Sequence, residues 1–495
     1  MSIHWPIIKR CVASPTKVAM IDETRTYRRA ELLVGSLHLA SAIKPKCNSN
    51  TLGVLLPTSG AFAMAALAGW ILGKVVVPLN YLLKPDELAY VINDCETDTV
   101  ISATKMIDFV GAAPKVPNLL RLDEMSFDGV PEPIWPASAN DEDLGVLLYT
   151  SGTSGRPKGV MLTHGNIAAN VRQINQFIDL TEHDVALSVL PQFHSFGLTV
   201  LTVLPLTLGF PVVFHPRFVP AKVLKSIREH RPTIMVAIPS MYNALLSVKD
   251  GTPEDFNSLR FTVSGGEPLP DATAKRFLER FGVTLAEGYG LTETSPVTNW
   301  CRPREWRAHS VGGPLPGVRE RVVGPDGLPL EPGQDGEVQM AGPNIMQGYF
   351  KLPEETAKAF TPDGFFRSGD IGRFDADGHL YITGRLKEML IIGGENVFPR
   401  EIEEVLNAHP SVHETGVIGT TDPMRGELPV AFVQMKDGAP FDERDLRAWC
   451  RQRLAGYKVP AEFRHVQDLP RNPTGKLQRR ELKAWLVQPP AVADH

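Results

Sequence analysis

Residues 149–164 read YTSGTSGRPKGVMLTH and continue the apolar run LGVLLYT that starts at 144. The run predicts a strand. The segment after it gathers Gly152, Gly155 and Gly159, the hydroxyls of Thr150, Ser151, Thr153 and Ser154, and the cation Lys158. Small residues let backbone N–H groups converge on an anion, while hydroxyls and a lysine add donors and charge. The composition favours a phosphate-binding loop, with a flexible surface loop as the alternative. It is not GxxxxGK[ST], because Pro157 stands where that motif has its second glycine.

The rest of the chain sets that loop in an α/β context. Apolar runs such as TLGVLLP (51–57), KVVVPLN (74–80), PTIMVAIP (232–239) and LRFTVSGGEPL (259–269) alternate with helical stretches near 60–73 and at 271–281. This alternation predicts parallel sheets covered on both faces. From about residue 310 short strands and turns dominate, and VGPDGLPLEPGQDGEVQM and FDADGHLYITG read as hairpins. After about 388 the pattern is mixed α+β, with a helix at 401–409, strands GVIGT and VAFVQM, a helix in DERDLRAWCRQRL, and a frayed tail VQPPAVADH.

Composition narrows the function classes. The 495 residues are 43% hydrophobic and 22% charged, as in soluble globular proteins. Lys+Arg 51 against Asp+Glu 56 gives a net charge of −5, which argues against a dedicated nucleic-acid binder. Five cysteines with no CxxC pair argue against a disulfide framework or a structural zinc site, and a reducing, cytoplasmic location fits. The apolar stretches 61–73 and 185–216 are too short or too proline-punctuated to span a membrane; they predict a buried helix and a strand–loop–helix. Peripheral membrane contact stays open, as does the choice between monomer and homodimer.

The phosphate-loop segment resembles the signature of the adenylate-forming superfamily: acyl-CoA synthetases, adenylation domains of peptide synthetases, and firefly luciferases. Further segments match in order: LPQFHSFGL (190–198), SGGEPLP (264–270), EGYGLTET (287–294), FRSGDIG (366–372), GRLKEMLIIGGENVFP (384–399) and PRNPTGKLQRREL (470–482). The resemblance implies a large multi-lobed N-terminal domain, 1–385, with two doubly wound sheets and a small β-barrel-like lobe. A hinge at 386–387 and a small mobile α+β domain, 388–495, would follow.

The implied chemistry begins with a carboxylate attacking the α-phosphorus of ATP, which releases pyrophosphate and leaves an acyl-adenylate. Screening an anionic nucleophile from an anionic phosphate chain calls for metal, cation and oriented donors. By resemblance, Glu293 holds Mg²⁺ with help from Thr150, and Thr292 bonds the α-phosphate. Residues 150–155 (Thr150, Ser151, Gly152, Thr153, Ser154 and Gly155) cradle the phosphates with Lys158. Gly265, Gly266, Glu267, Glu287, Gly288, Tyr289 and Gly290 lie along the adenine, with Tyr289 stacked on it. Asp370 and Arg385 reach the ribose, and Lys476 bridges the carboxylate and the α-phosphate.

The second half-reaction passes the acyl group to CoA. In the family the C-terminal domain turns about a hinge, here Lys387, so that Lys476 leaves and Gly393, Gly394 and Glu395 line the pantetheine tunnel. A plain turn between strand and helix accounts for that glycine pair as well. Arg471, Arg479, Arg480 and Lys458 either meet the CoA phosphates or form a solvated basic face. His194 stands where amino-acid-activating relatives carry an aspartate, which implies an acid without an α-amine. The acyl pocket is expected from Phe193, Phe196, Gly197, Val236, Ile238, Met241 and Ser264. No Lys or Arg occurs among these pocket segments, which disfavours a dicarboxylate. The wording FHSFGLT resembles fatty-acid-activating members, so a medium- or long-chain fatty acid is expected. A coumarate-like aromatic acid is the alternative for the substrate. A carrier protein is the alternative acceptor, and a luciferase-like oxygenase or a non-catalytic acyl-binding protein the alternative class.

Overall fold

The computed structural model describes residues 2–151, 156–471 and 477–487, with the backbone alone for Ser151. Strands whose every residue is buried, such as Thr51–Val54, Thr99–Ser102, Ile234–Ala237 and Phe261–Ser264, sit at the centres of two large sheets. That burial on both faces is why they read as continuous rather than alternating runs.

A seven-stranded sheet runs in the order Gly348–Tyr349, Pro157–Thr163, Leu144–Ser151, Val75–Pro78, Thr51–Val54, Thr99–Ser102, Asn118–Arg121. Its last five strands are parallel, but Leu144–Ser151 and Pro157–Thr163 pair antiparallel, so the two flanks of the phosphate-loop segment lie side by side. A nine-stranded sheet is parallel through Ala286–Gly290, Phe261–Ser264, Ile234–Ala237, Ala186–Ser188, Val212–Phe214 and Val18–Ile21, with antiparallel strands at both ends. The parallel pattern expected from sequence therefore holds at the centres and gives way at the edges.

The helix Gly60–Ile71 has all residues buried except Ala61, and its first turn is capped by Ser59, whose Oγ accepts from the Phe62 amide at 3.4 Å. Being apolar all round, it is a core element. The stretch 185–216 resolves into the strand Ala186–Ser188, a loop, a buried helix over 196–208 and the strand Val212–Phe214. Among the described residues no helix is long and apolar enough to cross a membrane. All five cysteines are buried and unpaired.

The third sheet is a four-stranded antiparallel one, Arg319–Val323, Gly336–Ala341, Phe366–Phe374 and Leu380–Arg385. The fourth has five strands: Glu395–Val397, Leu390–Ile392, Gly426–Met435 and Val412–Asp422, with Glu462–Val466 parallel to Gly426–Met435. Helices Pro399–Asn407 and Glu443–Arg451 help close a separate core around Ile402, Leu406, Val417, Ala431 and Leu446. Between the third and fourth sheets lies one turn, Leu386–Glu388.

Candidate active site

Four sequence segments far apart in the chain converge where the large sheets meet the third one. Asp370 and Arg385 are register partners on neighbouring antiparallel strands. Arg385 Nε lies 2.9 Å from Asp370 Oδ1, and the Tyr289 hydroxyl donates to Asp370 Oδ2 at 2.6 Å. Asp370 is 2% exposed, its amide donates to Ser368 Oγ, and its negative charge pushes the Arg385 guanidinium further up. A buried carboxylate at a strand register position, with a cation on one oxygen and a phenol on the other, is fixed in direction. Its remaining lone pairs are acceptors, which suits a pair of neighbouring hydroxyls.

Glu293 lies in the short turn Thr292–Thr294 after Ala286–Gly290. Tyr349 OH donates to its Oε1 at 3.0 Å, and burial pushes its pKa up. Magnesium keeps several waters and takes one or two carboxylates plus substrate phosphates. A single carboxylate beside a phosphate-binding hairpin fits that habit. Among the described residues no group of three His, Cys, Asp or Glu side chains gathers elsewhere to hold a metal. Thr150 is directly across the hairpin from Lys158, but it makes no hydrogen bond to Glu293. Lys158 Nζ pairs with Glu355 Oε2 at 2.7 Å and lies 5.3 Å from the centroid of the Tyr349 ring. Tyr349 and Glu355 escaped the sequence reading.

Thr292 Oγ1 is 3.4 Å from Ser195 Oγ, which ties the HSFG segment to the TET turn. His194 is half-buried, and its Nδ1 accepts from the Phe196 amide at 3.4 Å. Phe196 packs on Gly265: a Cβ there would fall 2.8 Å from Phe196 Cε1 and 3.3 Å from Gly288 O. The expected acyl wall and adenine wall thus share one glycine. Ile238 and Met241 are half-buried at the same edge, whereas Val236 is fully buried in the core. Phe193 is buried edge-on against Tyr81, with ring centroids 4.9 Å apart. Ser264 is 1% exposed and its Oγ has no hydrogen-bond partner.

Several glycines have a reason other than a ligand. A Cβ on Gly290 would sit 1.8 Å from Pro296 O, and one on Gly197 2.1 Å from Pro191 O. Gly393 and Gly394, with φ of +62° and +90°, form the two-residue turn of a hairpin pairing Ile392 with Glu395. That turn joins two strands, not a strand to a helix, and it demands glycine by itself. Glu287 is buried and turned aside: its Oε2 accepts from the Leu269 amide at 3.3 Å, and burial raises its pKa. Glu267 lies in the field of Arg471.

The expected basic cluster is mostly neutralised. Lys458 pairs with Glu401, Arg471 with Glu414, and Arg479 with Glu388 and Glu403, while Arg480 is exposed. These arginines and the lysine knit the C-terminal elements together, so the first three are not an open anion patch. Lys387 is exposed, and partial desolvation by its surroundings, reinforced by the neighbouring Arg385 charge, lowers its pKa. Gly152, Thr153, Ser154, Gly155 and Lys476, and the side chain of Ser151, lie outside the described residues, as does the tail beyond 487.

Known proteins match this chain along most of its length. The family model for AMP-binding enzymes matches residues 8–350, and the model for the AMP-binding enzyme C-terminal domain matches 401–476. A feruloyl-CoA synthase from Amycolatopsis sp. is 36% identical over 97% of this chain and 98% of its own. A long-chain-fatty-acid–CoA ligase from Bacillus subtilis is 32% identical over 94% and 91%. The crystal structure of ATP-bound MatB from Rhodopseudomonas palustris superposes with a TM-score of 0.90 at 31% identity, covering 98% of this chain and 99% of that one. The chain belongs to the AMP-binding enzyme family, the adenylate-forming superfamily. It is an AMP-forming acid–thiol ligase that uses ATP, Mg²⁺ and CoA with a carboxylic acid.

Proposed function

We propose that the acid is an aromatic carboxylic acid with a polar ring substituent, activated to its acyl-adenylate and passed to CoA. The observation that carries the choice is Ser264, a buried hydroxyl with no partner beside the Phe196–Gly265 contact. An unpaired buried hydroxyl costs on the order of 1–3 kcal/mol. A ring hydroxyl or methoxy group supplies a partner, and Phe196 offers the ring a flat wall. The feruloyl-CoA synthase among the relatives supports this reading. A medium- or long-chain fatty acid is the second reading, supported by the absence of Lys and Arg from the pocket segments and by the fatty-acid ligase relative.

In this account Asp370 accepts from the ribose hydroxyls, Arg385 steadies it, and Tyr289 holds the adenine while its hydroxyl stays on Asp370. Lys158 and the 150–155 segment take the phosphates, and Thr292 donates to the α-phosphate. Glu293 would hold Mg²⁺, which when bound would neutralise phosphate charge. Lys476 offsets the charge that develops as the carboxylate oxygen bonds to phosphorus and the pyrophosphate oxygen departs. His194 flanks the carboxylate. The domain assignment 1–385 and 388–495, with Lys387 as hinge, lets Lys476 withdraw before the thiol attacks.

Rates with p-hydroxycinnamate, ferulate, unsubstituted cinnamate and C8–C16 fatty acids test the choice. The aromatic reading expects kcat/KM to favour the hydroxylated acids about 10-fold or more over cinnamate in the wild type, with Ser264→Ala erasing the difference. Higher kcat/KM for fatty acids, unchanged by Ser264→Ala, overturns it.

A further inference from the structure

Lys158 and Glu293 are opposite charges that contact the same side chain, Tyr349. The Tyr349 hydroxyl donates to Glu293 Oε1 at 3.0 Å, and the Lys158 ammonium lies 5.3 Å from the centroid of the same ring. Glu355 takes a further share of Lys158 at 2.7 Å. An ammonium has three N–H donors, so one bond to Glu355 leaves two for an anionic ligand.

The backbone makes this placement deliberate. Gly348–Tyr349 is an edge strand on the phosphate hairpin, with Tyr349 opposite Val160. Lys158 is two residues from Val160 and hence on the same face, the diagonal distance a long side chain covers. The Phe350 amide donates to Gly159 O at 2.8 Å, and the Gln347 amide to Met161 O at 3.0 Å. The Met346 amide donates to the carbonyl of Glu293 itself at 2.8 Å. The Tyr349 amide donates to Thr356 Oγ1 at 2.9 Å, in the helix Pro353–Ala359 that carries Glu355. Residues 346–350 therefore clip the phosphate hairpin to the Glu293 turn.

We propose that Tyr349 is a positioning residue that keeps Lys158 and Glu293 apart, its ring face serving the cation and its hydroxyl the carboxylate. Each charge is then available to a different part of a magnesium nucleotide. This rests on the reading of Glu293 as the metal-holding carboxylate.

The test is ATP binding to the full-length protein by calorimetry across a Mg²⁺ titration, alongside KM for ATP, KM for the acid and Tm. Tyr349→Phe keeps the ring and loses the hydroxyl. The Mg²⁺ concentration for half-maximal ATP binding should rise about 3- to 10-fold, the worth of one hydrogen bond, with metal-free ATP affinity and the acid KM unchanged. Tyr349→Leu should weaken metal-free ATP binding as well. A wild-type Mg²⁺ midpoint in Tyr349→Phe overturns the proposal. Glu355→Gln, on an exposed helix, guards against misfolding of the tyrosine variants: it should weaken metal-free ATP binding about 3-fold and leave the Mg²⁺ midpoint in place, and wild-type affinity contradicts the assigned hold on Lys158. Glu293→Gln separates the two layers. If it leaves the Mg²⁺ dependence intact, the metal reading fails; if it abolishes that dependence while Tyr349→Phe does not alter it, this inference alone fails.

Discussion

Asp370 and Arg385 face each other across paired strands at 2.9 Å, and the Tyr289 hydroxyl closes on the other Asp370 oxygen at 2.6 Å. The aspartate is thus aimed before any nucleotide arrives. Asp370→Asn keeps the shape but removes the charge, and its amide presents a donor where ribose also donates. The expected result is a rise of about 10-fold or more in KM for ATP, with KM for the acid within about 2-fold of wild type. An unchanged KM for ATP would remove Asp370 from the nucleotide site.

Lys476 separates the half-reactions. Lys476→Ala should slow acyl-adenylate formation by about 100-fold or more, yet thioester formation from supplied acyl-adenylate and CoA should stay near wild type. Equal loss of both contradicts the account of a lysine that serves one half only.

Lys387→Pro addresses the hinge. A fixed φ resists the rotation that brings the CoA-facing shape, so the thioester half should slow by about 10-fold or more while adenylation persists. A normal thioester rate would move the hinge elsewhere.

Glu320 sets a pH dependence of stability. Its Oε2 accepts from Asn299 Nδ2 at 2.9 Å, its Oε1 is buried without a partner, and burial pushes its pKa to about 8. The unfolded carboxyl ionises near 4.5, so between 4.5 and about 8 the folded chain retains a proton that the unfolded chain has lost. Stability must therefore fall as pH rises through that window and level off above it. Glu320→Gln keeps the acceptor for Asn299 and removes the slope. Its gain over wild type should be near zero at pH 4 and grow to on the order of 1–3 kcal/mol by pH 8.5, read from denaturant unfolding. A gain independent of pH would show that Glu320 does not titrate as described.

The sequence was most legible where local pattern decides structure. The predicted helix at 271–281 is Asp271–Phe281, and the hairpins around 324–335 and 375–379 follow from their glycine and aspartate turns. Motif matching brought Tyr289, Asp370 and Arg385 to one place, which composition alone did not. Tyr349 and Glu355 were invisible because their roles arise from contacts 56 and 197 positions away in the chain. Gly197 and Gly290 stand close to protein carbonyls, and Gly393–Gly394 meet the demand of a tight turn, so small size next to a motif was not in itself evidence of ligand approach. Arg479 read as either a CoA-phosphate contact or part of a solvated basic face because its partners Glu388 and Glu403 lie far away in sequence.

The most direct test of the whole account is pyrophosphate release from ATP and Mg²⁺ over a panel of aromatic and fatty acids, with and without CoA, in parallel with thioester detection. The expected result is acid-dependent pyrophosphate, a bound acyl-adenylate without CoA, and turnover to the CoA thioester with it, fastest with a hydroxylated aromatic acid. Release of pyrophosphate with no thioester on adding CoA would contradict the assigned acceptor, and absence of acid-dependent pyrophosphate across the panel would contradict the adenylating chemistry itself.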